Sequence, residues 1–176
     1  MDPEEANALL PELLGTLFPG QYRPARDEAI PADGPGGWVL EDEGALCLLR
    51  LSQTARPFIW IRVGAAIEIP THSDLPVYVA CANKDLVAGR AYLRYGEQFS
   101  LVAVDESIPI DAISQTFQPS IQAAVTRLDF ALDHARDLQW SIVKRFGGRP
   151  FGSDEWFNLR PEFEGTALEK RPPPST

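Results

Sequence analysis

At 176 residues, 44% hydrophobic and 23% charged, the chain has the composition of one globular domain, long enough to bury a core without disulfides or a metal. Its 16 Lys and Arg stand against 25 Asp and Glu, a formal net charge of −9, and no basic cluster interrupts the surplus. Phosphate backbones and anionic bilayers repel such a surface, so neither nucleic-acid nor membrane partners are expected.

Cys47 lies in an apolar run and Cys81 in a helical stretch. Both read as free buried thiols rather than as a disulfide framework. The opening MDPEEANALLPELL is acidic where a secretory leader would be basic. No run approaches the roughly 18 apolar residues of a membrane span. The expected location is the cytoplasm.

In chain order, residues 1–20 form an N-terminal helical segment. Pro3, Glu4 and Glu5 suit a first turn, and Leu9, Leu10, Leu13, Leu14 and Leu17 make a stripe. Pro11 kinks it and Pro19-Gly20 ends it. Residues 21–37 are a Pro/Gly-rich linker. Its Gly34-Pro35-Gly36-Gly37 lacks the Lys-Ser/Thr ending and the preceding strand of a phosphate loop, and so reads as a connector.

Residues 38–148 carry the core. Segments 38–41, 45–51 and 58–69 predict an antiparallel meander, turning first at Asp42-Glu43-Gly44. In the third strand Ile59, Ile61, Val63 and Ala65 alternate with Phe58, Trp60, Arg62 and Gly64. One face suits packing under helices; the other, aromatic and charged, suits a partly exposed surface or an interface. Leu75, Tyr78, Val79, Ala82 and Leu86 then recur at helical spacing, behind a cap at Ser73 or Asp74. Two β-type runs flank Tyr95-Gly96-Glu97-Gln98 as a hairpin, and the chain leaves the sheet at residues 104–107. Residues 108–118 read as a turn plus a short helical piece. A long amphipathic helix repeats Ile121, Val125, Leu128, Leu132, Ala135, Ile142 and Phe146 and stops at Gly147-Gly148. Residues 149–176 form a tail, first aromatic (Phe151, Trp156, Phe157, Phe163) and then Pro-rich, whose first half is expected to dock back. The fold class is therefore α+β: an antiparallel sheet of about five strands, helices mainly on one face, in the order α-β-β-β-α-β-β-α.

Catalytic signatures are sparse. The imidazoles are His72, in a loop, and His134, on the long helix near Asp133 and Asp137, where a solvated polar face is the favoured reading. Metal-ligand spacing, a nucleophile elbow and a dinucleotide fingerprint are missing, so no metal, cofactor or catalytic residue is expected. The misfits are aromatic. At 100° per residue Phe130 falls about 180° from Ile121 and Trp140 roughly 100° from the same stripe, which points to a partner, a second copy or the tail.

The order of elements, together with Ala82-Asn83-Lys84-Asp85-Leu86, Gly89-Arg90-Ala91-Tyr92-Leu93 and Asp105-Glu106-Ser107, resembles the type III secretion chaperone-like and YbjN proteins. Leu75-Pro76-Val77-Tyr78-Val79 and Phe146-Gly147-Gly148-Arg149-Pro150-Phe151 resemble actinobacterial members. The likeness covers residues 37–148 best; the linker and tail fall outside it. It implies a small, often dimeric, non-enzymatic protein holding a peptide segment or partner protein. Trp38, Phe58, Trp60, Tyr92, Phe130 and Trp140 are the candidate partner-binding residues, and an unpaired sheet edge could accept an extended peptide. The alternatives are a small enzyme or ligand-binding domain using His72 or Cys81, and a purely structural homodimer.

Overall fold

The computed structural model describes residues 19–24, 37–51, 58–109 and 118–152, together with Pro11, Leu14 and Gly15. Its strands are β1 (Tyr22–Pro24), β2 (Gly37–Asp42), β3 (Ala45–Leu51), β4 (Phe58–Pro70), β5 (Arg90–Arg94) and β6 (Phe99–Pro109). Two helices, α1 (Leu75–Ala82) and α2 (Gln118–Phe146), complete the described elements. The strands form one antiparallel sheet in the order β1-β2-β3-β4-β6-β5. The expected α+β class and element order hold. The expected linker 21–37 contributes a sixth strand, the three residues of β1, which pair with Trp38, Val39 and Leu40.

Local chemistry explains the elements. The β2–β3 connection turns on Glu43 (φ 44°) and Gly44 (φ 82°), the two left-handed positions that a tight hairpin needs. Arg136 of α2 reaches this turn, donating to the Asp42 carbonyl at 2.9 Å and to its carboxylate at 2.6 Å. Pro76 sits in the first turn of α1, where its missing N–H costs nothing.

Strand alternation then builds the core. Ile59, Ile61, Val63 and Ala65 join Trp38, Leu40, Cys47, Leu49, Val102 and Val104 on one face. Leu75 and Val79 of α1 pack there, with Leu128, Leu132, Ala135, Leu138 and Ile142 of α2. Leu14 is helical and 1% exposed in the same core. Each fully buried Leu or Ile contributes about 1.5–3 kcal/mol. Burial pushes the Cys47 thiol well up, so it behaves as an apolar side chain.

The second face is not open. Val39, Leu46, Leu48, Leu101 and Ala103 are each no more than 2% exposed, and they cluster with Phe151. Phe151 lies over Gly64, where an added Cβ would come within 2.8 Å of three atoms of the ring. The chain reaches this face through a β-bulge. The β4–β6 register shifts between Ala66 and Ile69, where Glu68 takes φ 55°. Ile67 thereby exchanges hydrogen bonds with Arg149, at 2.9 and 3.0 Å, instead of with β6. The predicted stop at Gly147-Gly148 holds: both take positive φ, and a Cβ at Gly148 would lie 2.8 Å from the Ile67 carbonyl oxygen.

Two expectations are corrected. β6 does not leave the sheet at residues 104–107 but runs to Pro109, because Ile108 pairs with Ile59 and the polar residues before it are partnered. Arg62, on the face expected to be partly exposed, is only 5% exposed. The other residues of the expected N-terminal helical segment, residues 110–117 and the tail beyond Gly152 lie outside the described residues. No helix among those described is long and apolar enough to cross a membrane.

Two substitutions check this packing. Arg136→Met strands the Asp42 carboxylate under α2 and should cost about 2 kcal/mol in urea denaturation. Asp129 titrates above the usual range, through partial burial first and then through repulsion from Asp133 and Asp42, offset in part by Arg136. A raised carboxyl destabilises the folded state only when ionised. Asp129→Asn should therefore raise the melting temperature at pH 7, and the gain should fade as the pH falls to the ordinary aspartate value of 3.8.

Candidate functional site

A groove of about 680 Å³ lies where β6 outruns β5. Its origin is Gly89. With φ at 76°, and with room for a Cβ blocked at 2.8 Å by the Asp105 carbonyl oxygen, this glycine turns the chain off the sheet just before Arg90. β5 therefore begins opposite Asp105, whereas β6 continues through Ser107, Ile108 and Pro109, paired with β4 alone among the described strands.

A sheet edge exposes backbone donors and acceptors that a further strand would use. Here side chains take them. The Ser107 N–H donates to Glu106 Oε1 at 2.8 Å. Arg127 Nη1, from α2, donates to the Ser107 carbonyl at 3.4 Å and to the same Glu106 oxygen at 3.2 Å. The Glu106 side chain is 8% exposed and that of Arg127 is 51% exposed. The pair is an ionic plug filling one strand position, anchored by its buried acid and open at its arginine.

Apolar walls surround the plug. Phe58 and Trp60 come from β4, Val87 from the α1–β5 loop and Phe130 from α2. Val87 is 75% exposed and Phe130 37%. His134 holds the loop in place: its Nε2 accepts the Val87 N–H at 3.2 Å, and its ring stacks on Phe130 at 6.2 Å between centroids. Accepting through Nε2 requires the neutral ring to carry its proton on Nδ1.

An ion pair underlies the groove floor at Asp105. Arg62 Nη2 donates to Asp105 Oδ2 at 2.6 Å, with Nε bonded to the other carboxylate oxygen. Its guanidinium lies 3.7 Å from the Tyr92 ring centroid and 4.6 Å from that of Trp60. A bidentate carboxylate and two aromatic faces compensate the arginine for lost water. Across β5, the Asn83 side chain closes the outer edge as a peptide group would. Its Oδ1 accepts the Ala91 N–H at 2.7 Å, and its Nδ2 donates to the Ala91 carbonyl at 3.4 Å.

Of the six aromatic candidates, the structure brings Phe58, Trp60 and Phe130 together at this groove. Tyr92 lies beside it, against Arg62. Trp38 does not belong to an exposed aromatic surface: it is 7% exposed in the core on the helix side. Trp140 is 67% exposed under Lys144, whose Nζ is 4.6 Å from its ring centroid, and does not line the groove.

The His72 ring lies tilted against that of Phe146, 5.5 Å between centroids, and its Nδ1 accepts the Asp74 N–H at 3.1 Å. Cys81 corrects the expectation of a buried thiol: it is exposed, on the outer side of α1. It shares a smaller cleft of about 370 Å³ with Tyr78, His134 and Asp137. The His134 lone pair that would serve a nucleophile there is engaged by Val87. Among the described residues no group of three or more His, Cys, Asp or Glu could hold a metal ion. Compared with models of known protein families and with curated protein sequences, the chain finds no match.

Gly89, Glu106, Ser107, Arg127 and Asn83 shape the site, yet none stood among the predicted site residues. Asn83→Ala should lower stability by about 1 kcal/mol and speed hydrogen exchange at the Ala91 amide by tenfold or more, read by NMR.

Proposed function

We propose that this chain is a non-enzymatic, chaperone-like or adaptor domain that holds an extended peptide segment of a partner protein at the β6 edge. The observation that carries this reading is the overhang of β6 past Arg90, where the amide and carbonyl of Ser107 are held by side chains rather than by a strand. A peptide laid antiparallel to β6 in line with β5 would exchange both bonds with Ser107 once the Glu106–Arg127 plug swings aside. Strand alternation sends successive side chains of such a peptide to opposite faces, toward Phe58 and Trp60 on one and toward Phe130 on the other. Main-chain bonds would give affinity and these aromatic walls a preference for bulky apolar residues.

The resemblance to secretion chaperone-like and YbjN proteins supports the same reading, since it rests partly on Asn83, Gly89 and Asp105-Glu106-Ser107, which build the two plugged edges. A cytoplasmic setting and self-association through the same edge belong to this proposal as well. The net charge of −9 would favour basic partners through steering that weakens with salt.

A displayed library of random extended peptides, screened on the purified chain, tests the proposal. Binders should lose at least tenfold in affinity with Ser107→Pro, which removes the edge N–H, and with Phe130→Ala, by fluorescence anisotropy. Arg127→Ala unlatches the plug and should tighten the same peptides several-fold, the scale of one hydrogen bond. Binding indifferent to all three substitutions would move the site elsewhere.

A further inference from the structure

The two members of the plug at the β6 edge do not give way equally. The Arg127 side chain is half-exposed, so its guanidinium can turn back into water, whereas that of Glu106 is 8% exposed and fixed to a strand. Glu106 Oε1 accepts both the Ser107 N–H, at 2.8 Å, and Arg127 Nη1, at 3.2 Å. A peptide bonded to Ser107 removes both partners at once. Its carbonyl takes the N–H, and its main chain fills the position that the guanidinium holds. A buried carboxylate stripped of its counter-charge is costly, far more so than an arginine returned to solvent.

Register shows where a replacement charge must stand. Val104 and Ile108 lie in the core beneath the helices, so Glu106 between them points to the same side, where Arg127 of α2 meets it. Ser107 points the other way, in one row with Trp60. Because Ser107 turns its backbone groups to the open edge, Glu106 turns its own toward Ile61 of β4. A peptide residue facing Glu106 across the edge therefore forms the closer kind of pair, with α-carbons about 4.5 Å apart and side chains in contact. That residue directly follows the one bonded to Ser107, since β5, whose line the peptide continues, ascends from Arg90 as its β6 partners descend from Asp105. The residue bonded to Ser107 falls in the row of Trp60, and the second residue before it in the row of Pro109 and Phe58. The other acid lining the groove, Asp105, does not compete: it faces the Trp60 side and is held by two nitrogens of Arg62.

We infer that Glu106 selects the partner: the segment held at β6 carries a lysine or arginine immediately after the residue bonded to Ser107, and this cation replaces Arg127 on the Glu106 carboxylate. Apolar side chains at the residue bonded to Ser107 and two before it, toward Trp60 and Phe58, complete the pattern apolar-any-apolar-basic. The net charge of −9 draws such a segment in, and Glu106 fixes where its cation stands. The inference rests on the peptide-binding reading and adds to it the kind of sequence that is bound.

Peptides from the displayed library whose binding is lost with Ser107→Pro test it. Remade with lysine, methionine or glutamate at the stated position, they should bind the native chain in that order by fluorescence anisotropy, methionine at least tenfold more weakly than lysine. Glu106→Gln keeps an acceptor for the Ser107 N–H and should shrink that gap to less than threefold. Glu106→Lys should invert the order of lysine and glutamate, circular dichroism melts confirming the fold of each variant. On the native chain, a lysine moved one residue along turns toward Trp60 and should bind no better than the methionine peptide, a comparison that needs no variant. Equal binding of the lysine and methionine peptides overturns the inference while leaving the edge as the peptide site, with Arg127 retained on Glu106. A lysine preference that survives Glu106→Gln also overturns it, in favour of steering by net charge. Binders that are all indifferent to Ser107→Pro overturn the edge reading and this inference together.

Discussion

The pairing of β4 with β6 is the interaction on which the rest of the molecule depends. These strands are separated in sequence by α1 and β5, yet their register runs from Phe58 opposite Pro109 to Pro70 opposite Phe99. That register decides which residues meet the helices, and it brings Arg62 opposite Asp105 at the centre of the sheet. It also sets how far β6 protrudes past Arg90. The groove is thus a consequence of two strand lengths and one glycine, with the α1–β5 loop closing one wall through Val87.

A sheet with open edges must protect them, because unpaired backbone groups recruit other chains. This protein protects its edge at two points with side chains of different strength. At Ala91 a neutral amide replaces the missing peptide group, and it is held to α1 through the Val79 carbonyl. At Ser107 the substitute is an ion pair with a half-exposed arginine. Exposed pairs contribute little net stability, so the second plug is the easier to displace. The contrast supports treating one edge as closed and the other as available.

Much of the scaffold was legible because its signals are periodic. Alternation along residues 58–65 separated the two faces correctly, and the stripe from Leu128 to Ile142 placed α2 on the core. Phe130 stood out as facing away from that stripe, and it lines the groove. Other features escaped because they depend on long-range pairing. The acids of Asp105-Glu106-Ser107 look like the end of a strand, yet Arg62 and Arg127 partner them and keep the strand in the sheet. Tyr22–Pro24 looks like linker, and pairs only because β2 lies beside it. Cys81 sits at a helical position that could face either way, and it faces out. Trp38 belongs to an alternating strand whose phase a four-residue window could not fix.

The bulge at Ile67 and Glu68 bears on how the chain finds this arrangement. Pairing two distant strands invites errors in which one slides by two residues and keeps its apolar face inward. A plain ladder would tolerate such a slip, trapping the chain in a near-native sheet. Here a slipped register would put a β6 residue opposite Ile67, whose N–H and carbonyl are already taken by the Arg149 backbone. The irregularity thus opposes a slip: the chain just after α2 is stitched to β4 where the ladder to β6 is interrupted.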